Sequence, residues 1–122
     1  MTEAAKKSAY RYGRLAEQFS CLKLRLTGYT ILQRGFQAAG GEIEIIARRG
    51  NILAFIEVKA RKSMDEAAHA LGPAQRRRIE RTALAYLARN NNLTDLDPRF
   101  DLIMLSPRRW PRHQAGAWVL GQ

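Results

Sequence analysis

Two runs of strand-forming residues joined by a short turn constrain the fold of this chain more than any other feature. Residues 41–60 read GEIEIIARRGNILAFIEVKA, and Gly50-Asn51 at their centre is a two-residue hairpin signal. A turn on this pair places Arg49 opposite Ile52. Because side chains alternate between the faces of a strand, one face of the hairpin is almost wholly apolar. That face predicts a sheet buried against other elements.

The opposite face of the same hairpin brings like charges close together. The register places Glu44 directly across from Glu57, and Glu42 across from Lys59. Opposed Cβ atoms lie about 4.5–5.5 Å apart, where like charges destabilise a sheet. One compensator is ion pairing with Lys59 or a nearby arginine. The other is a divalent cation held by the carboxylates, with Glu17 on the first helix as a candidate further ligand. The two alternatives remain open at this stage.

The rest of the chain predicts helices on either side of this hairpin. The expected elements are a helix over 3–27, strands at 29–34, 42–48, 52–60 and 99–105, a glycine-rich loop over 35–41, a loop with a short helix over 63–71, a helix over 74–89 and a short edge strand over 117–120. The apolar positions of the first helix that we expect to face the core are Tyr12, Leu15, Ala16, Phe19, Leu22 and Leu26. We therefore predict one α/β domain over 1–122, with a central mixed sheet flanked by helices.

Charge and cysteine content indicate where the protein works and what it meets. The net charge is +10 and the pI is about 10.6, which favours nucleic acid as the partner. Cys21 is the only cysteine, so the sequence allows no internal disulfide. The first residues lack the apolar core of a secretory signal, and no apolar run suffices for a membrane helix. We expect a cytoplasmic protein with no membrane partner.

Several motifs together resemble the PD-(D/E)xK nuclease superfamily. They are GRLAE (13–17), GYTILQR (28–34), GGEIEIIAR (40–48), FIEVKAR (55–61), QRRRI (75–79) and RFDLI (99–103). Within the superfamily the chain is similar to small bacterial YraN-type proteins, which are distantly similar to archaeal Holliday junction resolvases. The resemblance covers nearly the whole chain and implies a restriction-endonuclease-like fold.

The resemblance also implies a metal-dependent catalytic site. Glu44 and Glu57 would bind Mg²⁺, or Mn²⁺ as a substitute, together with the carbonyl of Val58. Lys59 would contact the attacking water. Glu17 matches a helix-one acid that often completes the site, and Gln75 matches a supporting polar position on the second helix. The superfamily usually has aspartate at the position of Glu44.

Basic residues around the predicted site are candidates for holding a nucleic acid. They are Arg61, Lys62, Arg76, Arg77, Arg78 and Arg81. A second basic segment interleaves Arg108, Arg109 and Arg112 with Trp110, whose ring could stack on a base. We expect Trp110 to pack against the protein instead, and Asp101 to form a local ion pair.

These observations predict a metal-dependent endonuclease that hydrolyses phosphodiester bonds in DNA, branched or structured DNA included. DNA is favoured over RNA. The alternative is a non-catalytic, basic nucleic-acid-binding module on the same fold. A homodimer is a further open alternative, because cutting a junction needs paired sites.

Overall fold

A five-stranded mixed sheet extends outward from the predicted hairpin. The computed structural model describes residues 2–121, and only the backbone for residues 3–12. The elements are α1 (Glu3–Leu26), β1 (Thr30–Ala38), β2 (Gly41–Arg49), β3 (Ile52–Ala60), α2 (Met64–Ala68), α3 (Pro73–Arg89), a 3-10 turn (Asn91–Leu93), β4 (Asp97–Leu105) and β5 (Arg112–Trp118). The strand order is β1-β2-β3-β4-β5, and β3 and β4 are the parallel pair.

Helices cover both faces of the sheet, which confirms the predicted α/β class and is consistent with a restriction-endonuclease-like fold. On one face α1 packs Leu24 against Ile45 and Ile56. On the other face α3 packs Tyr86 edge-on against Phe36 and Phe55. The crossover from β3 through α2 and α3 to β4 brings the carboxyl ends of these two strands to the same end of the sheet. No helix within residues 2–121 combines the length and apolarity that crossing a membrane requires.

The predicted hairpin register is confirmed over its inner part. Arg49 pairs with Ile52, and the pairing continues residue by residue to Ile45 and Ile56. Gly50 adopts a φ of 60°, the left-handed conformation that the tight turn requires. The apolar face of this hairpin is therefore fixed against α1.

The predicted loop over 35–41 is wrong for most of its length. β1 continues to Ala38, and the turn to β2 consists of Ala39 and Gly40 with φ values of 54° and 78°. The glycines of this segment allow a tight hairpin instead of a long loop. A Cβ added at Gly41 would lie 2.6 Å from the Thr82 hydroxyl oxygen, so this glycine lets the hairpin approach α3.

The last strand also lies earlier than predicted. β5 covers Arg112–Trp118, whereas the sequence predicted an edge strand over 117–120. An edge strand pairs on one side only, so its polar residues show little of the apolar pattern used to recognise strands. Gly116, at a φ of 63°, lies where the pairing with β4 shifts register, and its N–H donates to Asp101 at 2.9 Å.

The buried face of α1 differs from the predicted one. The residues that pack against the sheet are Ala16, Ser20, Cys21 and Leu24, whereas Leu15, Phe19, Leu22 and Leu26 are exposed. The side chain of Tyr12 lies outside the described residues. Small side chains let the helix approach the sheet, where Ala47 and Ala54 also lie. The Ser20 hydroxyl donates to the Ala16 carbonyl at 2.7 Å, which satisfies its buried polar group.

Two leucines on α1 test this assignment. Leu24 is fully buried and Leu26 is 69% exposed. Leu24→Ala should lower the free energy of unfolding by about 2–4 kcal/mol, because it leaves a cavity. Leu26→Ala should change it by less than about 0.5 kcal/mol. Urea unfolding followed by circular dichroism measures both values, and a larger loss in Leu26→Ala would show that the assigned face is wrong.

Candidate active site

A polar cavity of about 230 Å³ lies at the end of the sheet where β2 begins and α3 starts. It is lined by three acids, by a polar and a basic residue of α3, and by a glycine and an isoleucine: Glu42, Glu44, Glu57, Gln75, Arg78, Gly41 and Ile79. The sequence predicted Glu44, Glu57 and Gln75 for one site, and the structure brings these three together. They come from three separate elements, so the tertiary fold assembles the cavity.

Glu57 is the most buried acid of the cavity, with only 4% of its surface exposed. It follows Phe55 on the same face of β3, so alternation directs it toward the α3 side of the sheet. On the parallel strand β4 its partner is Leu102, which is buried and apolar. A carboxylate in such surroundings has lost most of its water and requires hydrogen bonds or a counterion.

Glu44 lies beyond the point where backbone pairing of the two strands stops. The sequence predicted a backbone pair of Glu44 with Glu57, but the β2–β3 pairing ends at Ile45 and Ile56. Oε2 of Glu44 instead accepts the N–H of Val58 at 3.2 Å. The Glu44 and Glu57 carboxyl groups also share a hydrogen bond. The two carboxyl groups therefore meet through their side chains.

The two acids hold a proton far above the usual pH range of a carboxyl group. Burial raises the pKa of Glu44 to about 9, and the charge and hydrogen bond of Glu57 act in the same direction. Burial also raises the pKa of Glu57, although the hydrogen bond from Glu44 and the charge of Lys59 lower it. A proton is the smallest cation that can lie between them, and a metal ion would compete with it.

The residues of the cavity fit a divalent cation bound by two carboxylates. Mg²⁺ commonly binds through one or two carboxylates and keeps several waters. Glu42 adds negative charge near Glu57, but its carboxylate accepts a hydrogen bond from the Gln37 amide at 2.9 Å. Among the described side chains, those of residue 2 and residues 13–121, no three His, Cys, Asp or Glu converge as a metal-binding group. The remaining ligands would have to be water, substrate or neutral protein oxygens.

Lys59 and Gln75 both lie near the carboxyl pair. Lys59 follows Glu57 by two residues on β3, and its charge lowers the pKa of both carboxyl groups. Gln75 belongs to the first turn of α3, which begins with Pro73 at a position where the missing N–H costs nothing. The sequence therefore places an ammonium group and an amide beside the acids.

Glu17 does not join the carboxyl pair. It lies on α1, which packs against the other face of the sheet, and it accepts a hydrogen bond from Arg34 of β1 at 2.9 Å. Helical spacing places Glu17 next to the buried Ala16, but spacing does not show on which face of the sheet the helix packs. The predicted helix-one acid is thus a partner of Arg34 in this structure.

The predicted nucleic-acid-binding residues do not form one uniform surface. Arg61, Lys62, Arg78 and Arg81 are exposed, and Arg77 lies 3.8 Å from Glu80. The Arg76 guanidinium lies over the Trp118 ring at 5.7 Å, and its Nε is buried without a hydrogen-bond partner. The exposed cations therefore flank the cavity on α3 and on the segment after β3, while Arg76 packs against β5.

A second polar cluster lies on the α1 side of the sheet. Asp101 is fully buried and accepts two hydrogen bonds of 2.8 Å from Arg99, which confirms the predicted local ion pair. It also accepts bonds from Gly116 at 2.9 Å and from His113 at 2.7 Å. Burial would raise the pKa of Asp101, but the bonds from His113, Arg99 and Gly116 lower it. His113 was not predicted as a partner of Asp101, because the spacing of the two residues in the sequence carries no signal. The cluster joins β4 to β5.

The raised pKa values predict how stability depends on pH. A carboxyl group with a higher pKa in the folded protein makes folding less favourable as pH rises from its ordinary value of 4.5 toward about 9. Glu44→Gln removes this charge. The variant should melt roughly 4 °C above the natural protein at about pH 8 and at a similar temperature at about pH 5.

Thermal unfolding in the presence of chelator, followed by circular dichroism, measures this difference. Glu66→Gln, on α2 and exposed, is the matched control and should leave the pH dependence unchanged. A Tm difference for Glu44→Gln that stays constant with pH would contradict the conclusion that a proton lies between the two acids.

The chain is similar over most of its length to bacterial proteins of comparable length. It is 50% identical over 111 residues to a UPF0102 protein of Parvibaculum lavamentivorans, covering 91% of this chain and 84% of the relative. It is 45% identical over 118 residues to a UPF0102 protein of Paramagnetospirillum magneticum, covering 93% and 92%. The profile of the uncharacterised protein family UPF0102 matches residues 16–105, which confirms the predicted YraN-type resemblance. The chain belongs to the family UPF0102.

Proposed function

We propose that this protein is a metal-dependent endonuclease that hydrolyses phosphodiester bonds in DNA, including branched or structured DNA. The observation that carries the proposal is the meeting of Glu44 and Glu57 in a polar cavity with the charge of Lys59 beside them. A structural ion pair would place a cation between the acids, whereas here the two acids hydrogen-bond to each other. Such an arrangement suits a site that exchanges its proton for a cation.

The residues of the cavity divide the work of hydrolysis. Glu44 and Glu57 would hold Mg²⁺ or Mn²⁺, with the Val58 carbonyl as the implied third protein ligand. When bound, the metal supplies charge neutralisation at the phosphate and a more acidic water. Lys59, whose charge lowers the pKa of both carboxyl groups, would orient the attacking water and stabilise charge on a phosphoryl oxygen. Gln75 can hold the position of a carboxylate or water through its amide.

The surroundings of the cavity support a polyanionic substrate. Arg78 lines the cavity, and Arg81 is one helical turn further along α3. Arg61 and Lys62 are exposed directly after the strand that carries Glu57. With a net charge of +10, these groups would attract the nucleic-acid backbone and contact its phosphates.

Cleavage assays on linear, flapped and four-way DNA test the catalytic proposal. The natural protein should cut with Mg²⁺ or Mn²⁺ and should not cut with chelator. Glu57→Gln and Lys59→Met should each lower the rate at least about a hundredfold, because each removes a group that acts on the reacting atoms. The measurement is the initial rate of product formation on a denaturing gel.

Two variants at distant positions serve as controls for that assay. Asp95→Asn changes an exposed carboxylate near the start of β4, and Arg25→Met changes an exposed arginine in the last turn of α1. Both should keep the natural rate. Mg²⁺ should also raise the Tm of the natural protein and leave that of Glu57→Gln unchanged. Cleavage at the natural rate by Glu57→Gln and Lys59→Met would refute the site.

The alternative function is a nucleic-acid-binding module without catalysis. It is favoured by the absence, among the described side chains (those of residue 2 and residues 13–121), of a metal-binding group of three His, Cys, Asp or Glu. In that case DNA binds with chelator present and no metal-dependent product forms. The same cleavage assay therefore separates the two functions.

Both functions predict that Arg78 contacts a phosphate. Arg78→Gln should weaken DNA binding. It should also make the negative slope of log affinity against log salt concentration less steep by about 0.9, the value for one lost phosphate contact. Arg89→Gln, at the opposite end of the same helix, is the control and should keep the natural slope. Fluorescence anisotropy of labelled duplex DNA at several salt concentrations measures both slopes. Equal slopes for the natural protein and Arg78→Gln would remove Arg78 from the interface.

A further inference from the structure

The loop between β4 and β5 exposes a large aromatic side chain. The sequence predicted that Trp110 packs against the protein, but 54% of its surface is exposed. The neighbouring Pro111 is buried and anchors the chain next to it. An indole ring exposed to this degree on a fixed loop costs solvation free energy, so it suggests a binding role.

The loop has a defined conformation. The N–H of Arg109 donates to the Ser106 carbonyl at 3.3 Å and closes a turn that begins at Ser106 and has Pro107 as its second residue. Arg108 has a φ of 65°, in the left-handed region where glycine or asparagine is usual. Proline followed by a left-handed residue is the pattern of a type II turn. The turn holds the arginines and Trp110 in one arrangement instead of leaving them on a flexible tip.

Trp110 separates two concave regions of the surface. One, of about 310 Å³, is lined by Leu15, Ala16 and Phe19 of α1 together with residues 105–111. The other, of about 500 Å³, is lined by Lys23, Met64, Arg112 and His113 together with residues 109–111. We call the first region the indole groove. Its walls are apolar, and Leu15 and Phe19 remain about half exposed there.

The arginine and lysine side chains around the indole give both concave regions a basic border. Arg108 and Arg109 border the indole groove, and Lys23 and Arg112 border the neighbouring concavity. No carboxylate among the side chains of residues 13–121 lines either region. An aromatic face for stacking, apolar walls and cations for phosphate are the combination found in sites for single-stranded nucleic acid.

We propose that the indole groove binds an unpaired nucleobase of the substrate, stacked on Trp110, with Arg108 and Arg109 contacting the adjoining phosphates. This inference rests on the nucleic-acid substrate of the proposed function and deepens it. It gives the protein a preference for DNA that contains a single-stranded segment, such as a flap, a frayed end or a branch point.

The position of the groove relative to the carboxyl pair supports this substrate. β4 runs parallel to β3, with Lys59 paired to Met104, and the N–H of Arg61 donates to the Leu105 carbonyl at 3.0 Å. The loop after β4 therefore begins one strand away from the segment that follows Glu57 and Lys59, about 4.8 Å across the sheet. The carboxyl pair faces α3 and the groove faces α1. A strand of DNA reaching both would cross the sheet end over Arg61.

Quenching of tryptophan fluorescence by DNA tests the proposal without any cleavage. Trp118→Phe leaves Trp110 as the only tryptophan, and Trp118 is buried and stacked on Phe100 away from the groove. In the presence of chelator, oligothymidylate should quench the emission of this variant, because a stacked base quenches indole, and a duplex should quench it far less. Trp110→Ala in the natural background should weaken oligothymidylate binding by about tenfold and leave duplex binding within about twofold.

Leu120→Ala removes an exposed apolar side chain outside the groove and should bind both DNAs like the natural protein. Equal loss of single-strand and duplex binding in Trp110→Ala, or absence of quenching, would overturn the base site. Conversion of a dimer to a monomer by Trp110→Ala, seen by analytical ultracentrifugation, would assign the groove to a second copy and also overturn it. Because no step requires cleavage, an inactive protein that shows the quenching would refute the endonuclease and keep the base site.

Discussion

The candidate site depends on a pair of acids located where a β-ladder stops. Backbone pairing of β2 with β3 ends at Ile45 and Ile56, and Glu44, the residue before Ile45, uses its side chain to accept the N–H of Val58. This break frees the Glu44 side chain to turn toward Glu57. Glu57 is buried and Glu44 is half-buried, and the two neighbouring carboxyl groups cannot both be ionised there without compensation, so the fold holds either a proton or a cation between them. Stability and ligand binding are therefore linked at this point.

The parallel crossover explains why the cationic groups gather at the same end. β3 and β4 both end there, so the segments after them, with Arg61 and with Arg108, emerge side by side. The crossover also returns α3 with its first turn beside the carboxyl pair, which places Gln75 and Arg78 in the cavity. One topological feature thus brings together residues that are far apart in the chain. The opposite end of the sheet carries the Asp97–Asn51 contact instead.

The sequence was sufficient to predict the hairpin and its acids but not the orientation of α1. Alternating residues around Gly50-Asn51 fix which side chains share a face, so Glu44 and Glu57 could be placed together. The helix offers two stripes, one of large apolar residues and one of small ones, and the sheet covers the small one. The periodicity of apolar residues shows how the faces of a helix differ in polarity. It does not show how closely the helix must approach its sheet. The bounds of β5 and the ion pair of Glu17 were not predicted for a related reason, because both depend on neighbours that are distant in the sequence.

Because the large apolar residues of α1 remain exposed, the two faces of the sheet differ in chemistry at the end that carries the carboxyl pair. On the α3 side the surface is polar and acidic, with the carboxyl pair withdrawn into a cavity. On the α1 side it is apolar and bordered by arginines, with Leu15 and Phe19 left beside Trp110. A regular duplex has charge on its outside and its bases within, so it can use the first surface and the cations but gains little from the second. A strand with exposed bases can use both, and the apolar surface that folding leaves open then contributes to choosing the substrate.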